Sequence, residues 1–286
     1  MIGIVPNRDK PEAMDVAADL ARWAAATGEG AVMTPVDAQA LGHPEWGLPL
    51  ESWSSARLVV VVGGDGTFLR AATMCAPLGV PLVGVNVGRL GFLTSIEVTD
   101  LYRDVKAVLD GHCRVERRMM LEARVERGGV TRARFLALND VVVSKGPFAR
   151  MIQIAAYADS VRLDTYRADG LIVSTPTGST AYALSAGGPV LSPDLEVMVV
   201  TPICAHALST RPLVLGTDRT LRVLVASPHL ETLLTVDGHR GERIVAGDEV
   251  VVSRSDVATL LVRKEDHDFY ELLRRKLSVD DREDAD

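Results

Sequence analysis

The sequence predicts an α/β N-terminal domain built on a parallel sheet, followed by a β-rich, mainly antiparallel C-terminal domain. Strands and helices alternate up to about residue 111, whereas short alternating segments joined by tight turns dominate from 112 onward. Near residue 65, a glycine-rich loop joins an apolar run directly to a helical stretch, the connection that α/β units use.

In the first part, Ile2 to Val5 reads as a strand, Pro11 to Thr27 as a helix, Leu58 to Val62 as a strand, the stretch from Phe68 to Cys75 as a helix and Leu82 to Val85 as a strand. A short β-branched run bounded by glycines is the pattern of a strand covered on both faces, so a parallel, Rossmann-like sheet is expected. In the second part, Met120 to Glu126, Arg132 to Leu138, Val141 to Ser144, Ile152 to Tyr157 and Val161 to Tyr166 read as antiparallel strands, with Asp159-Ser160 as a tight turn. Two more strands are expected between Val250 and Val262, and His267 to Leu277 carries Phe269, Leu272, Leu273 and Leu277 at helical spacing. The expected division is 1–111, then 112–253, then a return segment 254–279 whose helix packs on the first domain. Residues 280–286, almost all charged, are expected to form a frayed, disordered tail.

Composition narrows the function classes. A chain of 286 residues with 47% hydrophobic and 24% charged residues is long enough for two modest cores. Its net charge of −7 gives no support to a nucleic-acid surface, so an anionic substrate must be captured locally. Cys75, Cys113 and Cys204 are far apart and lack metal-ligand spacing, which predicts reduced thiols and no structural metal. Met1-Ile-Gly-Ile-Val enters a strand with no basic, apolar leader, and no apolar run approaches the roughly 20 residues that cross a bilayer. A cytoplasmic protein without a membrane partner is expected.

Leu58 to Val62 runs straight into Gly63-Gly64-Asp65-Gly66-Thr67. Glycines permit a tight turn and close approach, and the N-terminus of the following helix offers backbone N–H groups and the positive end of its dipole to an anion. A carboxylate at such a phosphate-binding position points to phosphoryl transfer. The same residues also suit a plain strand-to-helix turn capped by Asp or Thr. No Gly-Lys-Ser/Thr follows and Gly-x-Gly-x-x-Gly is missing, so neither standard nucleotide loop accounts for it.

A second cluster runs from Asp169 to Pro189. Hydroxyls at Ser174, Thr175, Thr177, Ser179, Thr180, Tyr182 and Ser185 fill a stretch between the apolar strand Leu171 to Val173 and a short helix expected near Ser179. Small donors and close backbone approach are what a ribose or an amide requires. An ordinary Ser/Thr turn with an N-cap accounts for one or two of these hydroxyls.

Gly63-Gly-Asp-Gly-Thr67, Gly84-Val-Asn86-Val-Gly-Arg-Leu-Gly-Phe-Leu93, Asn139-Asp140, the long segment Asp169 to Pro189 and Val236-Asp-Gly238 occur in the order seen in bacterial NAD kinases. The chain resembles that family over nearly its whole length. The Gly-Asp loop is shared with phosphofructokinases and diacylglycerol-type lipid kinases, whereas the Asp169–Pro189 segment is the specific one. The resemblance implies transfer of a phosphoryl group from ATP to the 2′-hydroxyl of the adenosine ribose of NAD, making NADP.

Carried over position by position, the resemblance makes Asp65 the catalytic acceptor of the hydroxyl proton. A carboxylate is a weak base for an alcohol, so it orients the hydroxyl and takes the proton late. Gly63, Gly64, Gly66, Thr67, Arg70 and Asn86 fall in the ligand-facing segments of the first domain. In the second, Asn139 and Asp140 match a pair that more often reads Asn-Glu, while Arg150, Arg167 and Asp169 match dinucleotide contacts. Thr180, Ala181, Tyr182, Ala183, Leu184 and Ser185 match the segment lining the NAD pocket, with Tyr182 available for stacking. His239 stands where many relatives carry Gln. The implied cofactor is Mg²⁺ or another divalent ion held mainly by the ATP phosphates, with no protein metal site. Polyphosphate serves some relatives as donor, and a homodimer or homotetramer is the usual assembly. The alternatives are a noncatalytic NADP(H)-binding regulator, or a lipid or sugar kinase sharing the loop.

Overall fold

The computed structural model describes residues 1–88, 91–147, 151–207, 209–226, 231–245, 247–265 and 267–283, the side chains of 240 and 278–283 excepted. Its contacts divide the chain into two compact units, Met1–Glu116 together with Leu260–Asp286, and Arg117–Thr259.

The first unit contains β1 (Ile2–Pro6), α1 (Pro11–Ala26), β2 (Ala31–Val32), α2 (Pro35–Ala40), β3 (Leu58–Gly63), α3 (Asp65–Cys75), β4 (Leu82–Asn86), β5 (Ile96–Glu97) and α4 (Leu101–Leu109). Strands β2, β1, β3 and β4 lie side by side in parallel, with β5 beside the end of β4. Every residue of β1, β3 and β4 is buried, as expected of strands with helices on their faces. Ala13, Ala17, Leu20, Ala21 and Ala24 of α1 pack with Ile2, Ile4, Val60 and Val62 into one core. Each fully buried Ile, Leu or Val there contributes about 1.5–3 kcal/mol of transfer free energy. Pro11 begins α1, where its missing N–H costs no helix bond. The segment between β2 and β3 is organised around Trp53, which is fully buried against Gly3.

The second unit holds most of β6 (Arg114–Arg127), then β7 (Val130–Ala137), β8 (Asp140–Lys145), β9 (Ile152–Ala158), β10 (Val161–Ala168), β11 (Gly170–Ser174), α5 (Tyr182–Ser185), β12 (Val197–Ile203), β13 (Leu213–Gly216), β14 (Leu221–Val225), β15 (Thr232–Val236), β16 (Arg240–Ile244) and most of β17 (Asp248–Arg263). One sheet has the order β13-β12-β11-β8-β15-β16, antiparallel throughout. In the other, β10, β9, β14 and β17 pair antiparallel, and β6 and β7 form a hairpin. Alternate residues such as Ile152, Ile154 and Ala156 enter a common core with Leu171, Val173, Val223 and Val250. The expected turn at Asp159-Ser160 is present, with Asp159 at φ 53°.

Two expectations are corrected. The Val250–Val262 stretch forms one long strand, β17, because Ser253-Arg254-Ser255-Asp256 interrupts the apolar alternation without interrupting the backbone. The last helix, α6, spans Phe269–Glu283 and so begins later than His267 and continues into the segment expected to fray. Residues 284–286 lie outside the described residues.

Candidate active site

In the first unit the site grows from the end of β3. Gly63 is covered by Thr67, whose Oγ1 would lie 2.6 Å from any Cβ placed there, so the turn closes tightly against its own helix. Gly64 precedes α3 in an extended conformation, and Asp65 is the first helical residue. The carboxylate does not cap its own helix. It reaches instead to the segment after Gly91, where Oδ2 accepts the Phe92 N–H at 2.8 Å and Oδ1 accepts the Leu93 N–H at 2.9 Å. Two donors occupy part of a carboxylate's roughly four acceptor positions, which leaves lone pairs for a hydroxyl while fixing the plane of the group. Gly66 is exposed beside it.

The other predicted residues of this unit are drawn into local bonds. Arg70 donates from Nη2 to the Pro6 carbonyl at 2.7 Å. Asn86 is buried, and its Nδ2 donates to the Gly88 carbonyl at 3.1 Å and lies 3.4 Å from each Glu97 carboxylate oxygen. Its Oδ1 has no hydrogen-bond partner among the described residues.

In the second unit the organiser is Asp237, in the left-handed turn joining β15 to β16, at φ 49°. Its carboxylate accepts the backbone N–H groups of Leu138 (2.9 Å), Asn139 (2.8 Å) and Asp140 (3.1 Å). Burial raises its pKa against the opposing effect of these donors. Asp140 is buried beside it, and burial followed by the charge of Asp237 pushes its carboxyl up to about 7. The Asn139 Oδ1 is buried with no hydrogen-bond partner among the described residues. An unpaired amide oxygen next to Asp140 is a ready acceptor for a donor-bearing ligand edge.

The Asp169–Pro189 segment is tied to this turn. A Cβ at Gly178 would lie 2.1 Å from the Asn139 carbonyl oxygen, so only glycine lets the two backbones meet. Thr175 Oγ1 donates to Leu138 O at 2.6 Å, Ser179 Oγ to Pro176 O at 2.7 Å and Thr180 Oγ1 to Thr177 O at 3.2 Å. Three of the seven hydroxyls between Ser174 and Ser185, at Thr175, Ser179 and Thr180, are therefore bonded to carbonyls of the chain, whereas the Ser174 Oγ is buried with no hydrogen-bond partner among the described residues. A tight backbone without side-chain bulk must satisfy its carbonyls from its own Ser and Thr. The expected helix near Ser179 is a single tight turn at Thr177–Thr180 followed by the short α5. Within α5, Ala183 is buried against Val142, Ile172 and Ile203, whereas Tyr182 and Ser185 are exposed; Leu184 and the preceding Ala181 are half-buried.

Arg167 is exposed, and Asp169 pairs with Lys145 at 2.8 Å. His239 is exposed with Nδ1 2.5 Å from the Asp237 carbonyl. Arg150 lies outside the described residues. Sequence reasoning missed the Phe92 and Leu93 amides, Lys145 and the role of Asp237. The Asp-Gly turn at 237–238 was a visible signal for the last of these; backbone donors 27 and 28 residues from Asp65 leave none.

Comparison with known proteins bears on this arrangement. Residues 48–113 match the family model described as the ATP-NAD kinase N-terminal domain, and residues 138–264 match the ATP-NAD kinase C-terminal domain. The chain is similar to the NAD kinase of Moorella thermoacetica, 47% identical over 276 residues that cover 96% of this chain and 88% of that protein. It is similar to that of Heliobacterium modesticaldum, at 46% identity over 96% of this chain and 98% of that one. Among solved structures, yeast NADH kinase complexed with NADH matches with a TM-score of 0.86 and 25% identity, covering 97% of this chain and 87% of that one. An NAD kinase from Archaeoglobus fulgidus in complex with ATP matches with a TM-score of 0.76 and 25% identity, covering 97% and 99%.

Proposed function

The chain belongs to the NAD kinase family, and from that premise we propose that Asp65 is the group that receives the 2′-hydroxyl proton when ATP phosphorylates NAD to NADP. The observation that carries this reading is the seating of the Asp65 carboxylate on two backbone donors, 2.8 and 2.9 Å away, at the first residue of a helix. A carboxylate fixed in that way orients a hydroxyl without reorganising as the phosphoryl group arrives. Phosphoryl transfer passes through a loose transition state, so the proton leaves late and a weak base suffices.

In the second unit, Asn139 Oδ1, the Asp140 carboxyl, Arg167, Asp169 and the exposed Tyr182 and Ser185 are the groups that hold the dinucleotide in this reading. Support comes from the unpartnered Asn139 oxygen and from the NADH bound in the yeast relative. ATP as donor is supported by the archaeal relative, whose structure holds ATP. Among the described residues no three His, Cys, Asp or Glu side chains gather to hold a metal. In this reading, as the family resemblance implies, a divalent ion takes its ligands mainly from the nucleotide phosphates, where it neutralises developing charge. The family resemblance supports a cytoplasmic homodimer or homotetramer, which light scattering measures.

The test incubates purified protein with Mg²⁺, NAD and either ATP or polyphosphate, and detects NADP with an NADP-specific dehydrogenase. Turnover with ATP, nearly abolished in Asp65→Asn while NAD still binds, is the expected result. Substantial activity in the Asn variant would overturn the role of Asp65. NADP(H) binding with no turnover by the unaltered protein would favour the regulator.

A further inference from the structure

We infer that Arg263 is a positioning residue for the transfer, holding through a single peptide group the orientation of Asp65. The inference rests on the proposed role of Asp65.

Arg263 ends β17 and is among the largest fully buried side chains of the protein, at 1% exposure. Its Nη2 donates to the Phe92 carbonyl at 2.5 Å, and its Nη1 lies 3.3 Å from the Leu93 carbonyl and 3.5 Å from that of Thr94. The Nε is 3.8 Å from a carboxylate oxygen of Glu116. In a trans peptide the C=O of one residue and the N–H of the next point in opposite directions. The peptide joining Phe92 to Leu93 is therefore gripped on both edges. Its carbonyl takes a hydrogen bond from Arg263, and its N–H gives one to Asp65 Oδ1. The cation also polarises that peptide, which strengthens the N–H as a donor to the carboxylate.

A buried guanidinium is costly unless its donors are met, and an apolar residue would fill the same space at lower cost. What an apolar residue could not do is hold the Phe92 carbonyl so that the amide behind it, that of Leu93, faces the Asp65 carboxylate. The planar fork of Arg meets several acceptors at fixed angles, whereas the ammonium of Lys is a point donor. Loss of the fork frees the 92–94 backbone to turn, and Asp65 loses its seat without any change in the dinucleotide contacts of the second unit.

The experiment measures steady-state kinetics of Arg263→Lys, Arg263→Met and Arg263→Ala, with thermal unfolding in parallel. The expected result is a fall in kcat of about 10- to 100-fold with KM for NAD and ATP changed by less than about twofold. Low-millimolar guanidinium should restore part of the kcat of Arg263→Ala. In an Asp65→Asn background, Arg263→Lys should add no further loss. Folded variants with the parental kcat, or a rise in KM at unchanged kcat, overturn the inference. If Asp65→Asn itself stays active, the reading of Asp65 fails; if it is dead while the Arg263 variants turn over normally, only the Arg263 inference fails. Should the variants not fold, amide exchange in the unaltered protein decides. Exchange of Leu93 only through global opening supports the grip, and exchange at the rate of a solvated loop amide overturns it.

Discussion

The Asp65 carboxylate occupies the space that a side chain at Gly91 would fill. A Cβ at position 91 would lie 2.0 Å from Oδ1, 2.6 Å from Cγ and 2.9 Å from Oδ2. The glycine is thus a condition for the two hydrogen bonds that follow it in the chain, from Phe92 and Leu93.

Gly91→Ala should consequently behave as a catalytic lesion. The methyl group drives the carboxylate off its donors, and displacement of about 1 Å at a reacting group costs about 100-fold in rate. Overpacking should also destabilise the fold, by about 1–3 kcal/mol. Kinetics and urea unfolding of the purified variant check both effects. A variant with normal kcat would show that the carboxylate does not need this seat.

Asp237 should prove more important to stability than its place in a turn suggests. Its carboxylate serves three backbone donors, at Leu138, Asn139 and Asp140. In Asp237→Asn the amide NH₂ replaces one acceptor and faces a donor, leaving a buried N–H unmet. A loss of about 1–3 kcal/mol is expected in urea unfolding, with a raised KM for NAD as the 138–140 backbone loosens.

Asp140 predicts a pH dependence whose sign runs against ordinary acid denaturation. Burial first, and the charge of Asp237 second, raise its pKa from 3.8 to about 7 in the folded protein. Between those values the folded state holds a proton that the unfolded chain has released. Its stabilising contribution is therefore full below the lower value, falls as pH rises through the window and is lost above about 7. The change is on the order of 4 kcal/mol. Urea midpoints at about pH 5 and about pH 8 should differ more in the parent than in Asp140→Asn, and equal differences would refute the assignment.

How much of this was legible depends on the range of the interaction concerned. The unbroken apolar run of β3 and the alternation of β9 and β10 carry their own burial pattern, so period and turn residues identify them locally. β17 was not legible as one strand, since its polar centre is supported by partners distant in sequence, such as Glu196 bonding Arg254. The candidate site follows the same rule. Gly63 to Thr67 stands out as a loop from its glycines alone, but the partners of Asp65 lie 27 and 28 residues away and are backbone groups, which any residue type supplies. The hydroxyls of Thr175, Ser179 and Thr180 are bonded to carbonyls of the chain, and sequence does not tell a donor so aimed from one aimed at a ligand.

The glycine at position 66 separates two properties that usually move together. It sits inside α3, yet no described residue comes within 4 Å of a Cβ added there beyond its chain neighbours and the helix's own backbone. Alanine in its place should raise the melting temperature, since the helix gains up to about 1 kcal/mol in propensity. On the proposed role of Asp65, the same methyl would crowd the hydroxyl brought to the neighbouring carboxylate, and NADP formation should fall. A screen for heat resistance alone would thus select Gly66→Ala and breed out the activity, so thermostability and turnover should be scored jointly in any directed evolution of this enzyme.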